Sequence, residues 1–85
     1  MKHFEYKITD PSGIHARPAG LLVKEAIKFS SEIIIEKDGK KGDLKRIFAV
    51  TSLGVKCGEV VTITASGEDE DKAVSTLEKF MKENL

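Results

Sequence analysis

Residues 13–19, Gly13-Ile14-His15-Ala16-Arg17-Pro18-Ala19, set one histidine at the threshold of an amphipathic helix, with an arginine two positions on. Both side chains suit phosphoryl chemistry. A neutral imidazole is a nitrogen nucleophile, and a helix N-terminus offers unpaired N–H groups and partial positive charge to an anion. A phosphoryl group formed on His15 would be held by that same helix end. Arg17 adds a permanent cation whose planar fork matches two oxyanion oxygens. Pro18 has no N–H, so the backbone donors are expected from Ala16 and Arg17. The segment is a candidate phosphohistidine site; the bland readings are a histidine that only caps a helix and an arginine that is only a surface charge.

The flanking sequence supplies elements to position it. His3 to Thr9 alternates, with Phe4, Tyr6 and Ile8 on one face, as in a half-buried strand. Asp10-Pro11-Ser12-Gly13 is turn chemistry. Ala19, Leu22, Val23, Ala26 and Ile27 then recur at helical spacing, with Pro18 in the first turn. Glu32 to Lys37 reads as a strand, Asp38-Gly39 as a hairpin turn, and Lys40 to Asp43 as a short return strand. Leu44 to Leu53 is expected to form a short helix ended by Gly54, and Glu59 to Ser66 a further strand. Asp69 is the expected N-cap of a last helix carrying Ala73, Leu77, Phe80 and Met81 on one stripe. The order β-α-β-β-α-β-α predicts an α+β fold, one antiparallel sheet with helices on one face. Lys7, Glu36 and Thr62 are expected on its open face.

Bulk properties narrow the function. Eighty-five residues suit a single domain, 1–85, and 14 basic against 14 acidic residues leave no net charge. That balance argues against nucleic acid as a partner. Cys57 stands alone, so no disulfide or multi-cysteine metal site is expected, and a cytoplasmic setting fits. No apolar run approaches the length of a membrane span. The run Glu68-Asp69-Glu70-Asp71 reads as a helix start rather than a metal site, and no cofactor is expected.

The heptapeptide resembles the active-site signature of the HPr family, the histidine phosphocarriers of the bacterial sugar phosphotransferase system. Ser31-Glu32-Ile33, Lys37-Asp38-Gly39-Lys40, Ser52-Leu53-Gly54 and residues 60–67 also lie where that family has similar segments. The resemblance implies an open-faced β-sandwich with a four-stranded sheet and three helices. It implies a transient phosphoryl group on Nδ1 of His15, received from enzyme I and passed to sugar-specific enzyme IIA domains. Such a carrier is a monomer and not itself an enzyme. Arg17 would assist the phosphoryl oxygens, Ser12 would orient the site, and Gly54 would lie in a neighbouring loop.

A docking face is expected beside the histidine. Leu21 lies off the apolar stripe, and Ile47 and Phe48 are adjacent, so a short helix can bury at most one of them well. With Ala16, Gly20 and Thr51 they would form an apolar centre, rimmed by Arg17, Lys24, Lys45 and Arg46. Arg46 also departs from the Gram-positive pattern, which has a kinase-regulated serine at that position. The alternative function is therefore an HPr-like paralogue acting as a regulatory relay or binding module, with regulatory proteins as partners.

Overall fold

The computed structural model describes residues 1–85. Its elements are β1 (Lys2–Lys7), α1 (Ala16–Ala26), β2 (Glu32–Lys37), β3 (Lys40–Asp43), α2 (Ile47–Thr51), β4 (Val60–Ser66) and α3 (Glu70–Asn84). The strands form one sheet in the order β1-β4-β2-β3, every neighbouring pair antiparallel. With β4 between them, β1 and β2 run parallel, and α1 is the crossover that connects them. This is the expected β-α-β-β-α-β-α order, with one face of the sheet left open.

Register follows from the apolar alternation. Ile63 of β4 pairs with Phe4 on one side and Ile35 on the other, whereas Thr62 pairs with Glu5 and Glu36. A slip of one residue would exchange these faces and bury the charges. Lys7 pairs with Val60, so it shares the open face with Glu36 and Thr62 as expected. The inner face and the helices bury 19 apolar residues, among them Ile8, Leu22, Ile33, Ile35, Leu44, Val50, Val61, Ile63, Leu77 and Met81 with no exposed surface. Truncating one of the larger of these to Ala would cost about 2–5 kcal/mol.

The structure departs from the sequence reading most clearly at three places. First, the helix expected over Leu44–Leu53 is confined to Ile47–Thr51. Leu44 N–H still bonds the Ile33 carbonyl at 2.9 Å, and the Asp43 carboxylate takes Lys45 N–H at 2.9 Å. Asp43 thus turns the chain before any helix can begin. Second, Ile27 is 57% exposed: it keeps helical dihedrals and its N–H bonds the Val23 carbonyl, but it lies about 100° round the helix from buried Ala26, off the stripe that faces the core.

Third, Asp69 stands at the N-cap of α3, but its side chain makes no capping bond. The carboxylate instead accepts Ser30 N–H at 2.9 Å, Ser31 N–H at 3.0 Å and the Ser31 hydroxyl. It ties the start of β2 to the start of α3. The Ser31 hydroxyl, then the backbone N–H groups, hold the Asp69 carboxyl down at about 2 against an ordinary 3.8.

The sign of the pH dependence follows. A depressed folded pKa adds stability above the unfolded value, and that stability is lost as pH falls through the folded one. Urea unfolding from pH 6 down to about 2 should show wild type losing its advantage over Asp69→Asn between 3.8 and about 2. A wild-type advantage that stays constant across that window would contradict the assignment.

Candidate functional site

The chain reaches His15 over a tightly held turn. The Asp10 carboxylate accepts Ser12 N–H at 2.8 Å, and the Asp10 carbonyl accepts Gly13 N–H at 2.9 Å. Gly13 is buried at φ +67; a Cβ there would collide with the Val55 carbonyl oxygen and lie 2.8 Å from Lys56 Cα. Only glycine fits both the backbone angle and the space. Ile14 is then sunk into the core, with its N–H on the Val55 carbonyl at 3.0 Å.

His15 is the N-cap of α1, in extended conformation at φ −88 and ψ 178. Its side chain is exposed and makes no capping bond, so the ring is free for other chemistry. The first helical bond runs from Ala19 N–H to the His15 carbonyl at 3.0 Å. Ala16 and Arg17 therefore keep backbone N–H groups with no acceptor in the chain, and Pro18 has none to offer. No acidic residue lies in the first turn to compete for that positive end. Pro18 and Ala19 are buried, which fixes the turn beneath the exposed His15 and Arg17.

His15 and Arg17 line one shallow cleft of about 250 Å³ with Asp10, Pro18, Leu21 and Asn84. Two of these were missed in the sequence. Asp10 read only as turn chemistry. Asn84 carried no local signal, because only the fold brings the end of α3 here. The Leu85 main-chain oxygen accepts Thr9 N–H at 2.6 Å, Asp10 N–H at 2.9 Å and the Thr9 hydroxyl at 2.9 Å.

Ser12 and Gly54 do not line the cleft. Ser12 uses its backbone in the turn, and Gly54, at φ +61, belongs to the segment behind Gly13 and Ile14.

Of the expected docking residues, Phe48 is 84% exposed, Leu21 46% and Ile47 37%. A Cβ on Gly20 would sit 3.6 Å from Ile47 Cδ1, so α1 and α2 meet at the glycine. The Thr51 hydroxyl turns back to the Ile47 carbonyl at 3.0 Å. Lys24 and Arg46 are exposed, Arg46 with Nε 3.7 Å from the Asp43 carboxylate. Lys45 leaves the expected rim: its ammonium donates to the Phe29 carbonyl at 2.7 Å and ties the segment before α2 to the turn after α1. No group of three His, Cys, Asp or Glu side chains is arranged to hold a metal, and no helix is long and apolar enough to cross a membrane.

This arrangement sets an exposed imidazole beside two backbone N–H groups that have no acceptor in the chain. Residues 2–83 match the family model described as the PTS HPr component phosphorylation site. The phosphocarrier protein HPr of Buchnera aphidicola is 49% identical over 77 residues, covering 91% of both chains. The solved histidine-containing phosphocarrier protein of Mycoplasma superposes with a TM-score of 0.94 at 44% identity, over 96% of this chain and 93% of that one. Crh of Bacillus subtilis, a catabolite-repression protein solved as a swapped dimer, is 40% identical over 100% of this chain and 98% of its own, with a TM-score of 0.79. The signature around His15, the open-faced fold beneath it and likeness over nearly the whole length place this chain in the HPr family of phosphotransferase-system phosphocarriers.

Proposed function

We propose that this chain accepts a phosphoryl group on Nδ1 of His15 from phosphorylated enzyme I and passes it to sugar-specific enzyme IIA domains. The observation that carries the reading is the pair of unspent N–H groups on Ala16 and Arg17 beside an imidazole free of intrachain capping. The imidazole lone pair forms the N–P bond as the bond to the donor breaks and its electron pair leaves on the donor. The helix end and the Arg17 guanidinium then face the phosphoryl oxygens. Each helix-end contact is worth about 0.3–1 kcal/mol exposed, which steadies the adduct without trapping it. The chain is in this reading a covalent substrate of its partners and not an enzyme.

The exposed apolar surfaces of Leu21, Ile47 and Phe48, with Lys24 and Arg46 beside them, suit brief docking of both donor and acceptor. A monomer is sufficient, since β1 pairs along its whole length with β4 of the same chain.

A second reading, a regulatory relay, draws support from the likeness to a catabolite-repression protein. Arg46 bears on it. A phosphoserine would bring about −1.5 to −2 charges to a position that carries a fixed cation here. Serine-based control is absent in this reading, and a family serine kinase should leave position 46 unlabelled.

Incubation with phosphoenolpyruvate and enzyme I should give an acid-labile adduct that His15→Ala abolishes; an adduct surviving that substitution would contradict the assignment. Arg17→Lys keeps the charge and loses the fork, and should slow transfer about tenfold, equal to about 1.4 kcal/mol, with an unchanged melting temperature. Phe48→Ala should change stability by no more than about 0.5 kcal/mol, as expected of an exposed side chain, while slowing exchange with both partners. A large fall in melting temperature would instead make Phe48 a packing residue.

A further inference from the structure

Residues 52–59, between α2 and β4, form a segment without regular structure as long as the one that leads to His15. It is the bed on which the histidine's approach lies. Val55 accepts the Ile14 N–H, and Val55 and Lys56 leave room for Gly13 only because it lacks a side chain. On the β1 side, Gly58 N–H bonds the Ile8 carbonyl at 2.8 Å and Ile8 N–H bonds the Glu59 carbonyl at 2.9 Å.

One side chain holds the segment from the inner side. Lys37 ends β2 at the same parity as Ile33 and Ile35, and its side chain is only 15% exposed. An ammonium has three protons to donate. Here three acceptors surround it: the Leu53 carbonyl at 3.4 Å, the Gly54 carbonyl at 3.2 Å and the Glu59 carboxylate at 3.1 Å. The same Glu59 oxygen also takes Lys56 N–H at 2.6 Å. Lys56 N–H first, and Lys37 next, hold the Glu59 carboxyl below its ordinary range, so it stays a carboxylate near neutrality. The ammonium thus pins the segment both before and after Val55 and Lys56.

We propose that Lys37 is a positioning residue for phosphoryl transfer at His15, acting by stapling Leu53–Gly54 to Glu59 and so fixing the Val55 carbonyl that seats Ile14. The inference rests on the reading that His15 is the phosphoryl acceptor. Lys37 touches no reacting atom. Its loss would free residues 52–59 to shift, and Ile14 and His15 would shift with Val55. Transfer requires in-line approach within a narrow geometry, so a displacement well below 1 Å is felt in the rate. Docking onto the α1 and α2 surfaces would be untouched.

The test is phosphorylation of the full chain by enzyme I and phosphoenolpyruvate, with carrier concentration varied to separate kcat from KM. Lys37→Met keeps the apolar stem and removes the three donors. It should lower kcat by roughly three- to tenfold with KM unchanged. Amide exchange should quicken at Ile14 while Leu77, in the core of α3, keeps its protection. Glu59→Ala, which releases one end of the staple, should lower kcat by a smaller factor and carries the test if Lys37→Met does not fold. A kcat within twofold of wild type in folded Lys37→Met overturns the proposal, as does an unchanged kcat in Glu59→Ala where Lys37→Met does not fold. So does a loss confined to KM, or exchange that quickens equally at Ile14 and Leu77. A wild-type chain unlabelled at His15 overturns the phosphocarrier reading as well, whereas a labelled wild type matched by Lys37→Met overturns only the role of Lys37.

Discussion

The contact on which the site depends is the hydrogen bond from Ile14 N–H to the Val55 carbonyl, with Gly13 pressed against the same peptide. It joins two segments about forty residues apart at the point where the chain must change from turn to helix. Because Ile14 is buried on one side of His15 and Pro18 and Ala19 on the other, the histidine is fixed at the backbone and exposed at the side chain. A phosphoryl carrier needs both properties. The backbone sets where the N–H donors point, and the free ring lets partners of different shape approach.

The rest of the fold supports that contact from behind. The sheet register places Ile33 and Ile35 beneath the helices and carries Lys37, two residues on, under the segment that bears Val55. Ion pairs at an exposed surface contribute little, with a median near 0–1 kcal/mol. Lys37 differs from those pairs: only 15% of its side chain is exposed, and its ammonium meets two carbonyls as well as a carboxylate. Removing that donor leaves the partly buried Leu53 carbonyl without it, a cost beyond the worth of the charge pair alone. At the opposite end of the molecule, Asp69 performs a comparable service between Ser30, Ser31 and the start of α3.

Most of this was legible in the residue order wherever one periodicity ruled. The alternation of Phe4, Tyr6 and Ile8, the β-branched run at 33–35 and the stripe Ala73, Leu77, Phe80 and Met81 each predicted an element and its inner face, with Tyr6 and Phe80 only partly buried. The heptapeptide likewise exposed His15, Arg17 and the donors of Ala16 and Arg17, because helix-end chemistry is local. What the sequence hid was settled by long-range partners. Asp69 has the chemistry of a cap, but Ser31 competes for its carboxylate across 38 positions. Lys45 is indistinguishable from a surface cation until the Phe29 carbonyl is found within its reach. Asn84 joins the His15 cleft, and Lys37 the bed behind it, only once the strands have paired.

The central claim is that a phosphoryl group on His15 is received by the open end of α1. The most direct measurement is the amide spectrum of the full chain before and after phosphorylation by enzyme I and phosphoenolpyruvate, with the adduct located by phosphorus coupling to the imidazole. The account predicts large downfield shifts of the Ala16 and Arg17 amides, as N–H groups without protein acceptors acquire charged ones, and an unmoved α3. An adduct on another residue, or a phosphorylated His15 that leaves both amides where they were, would contradict it.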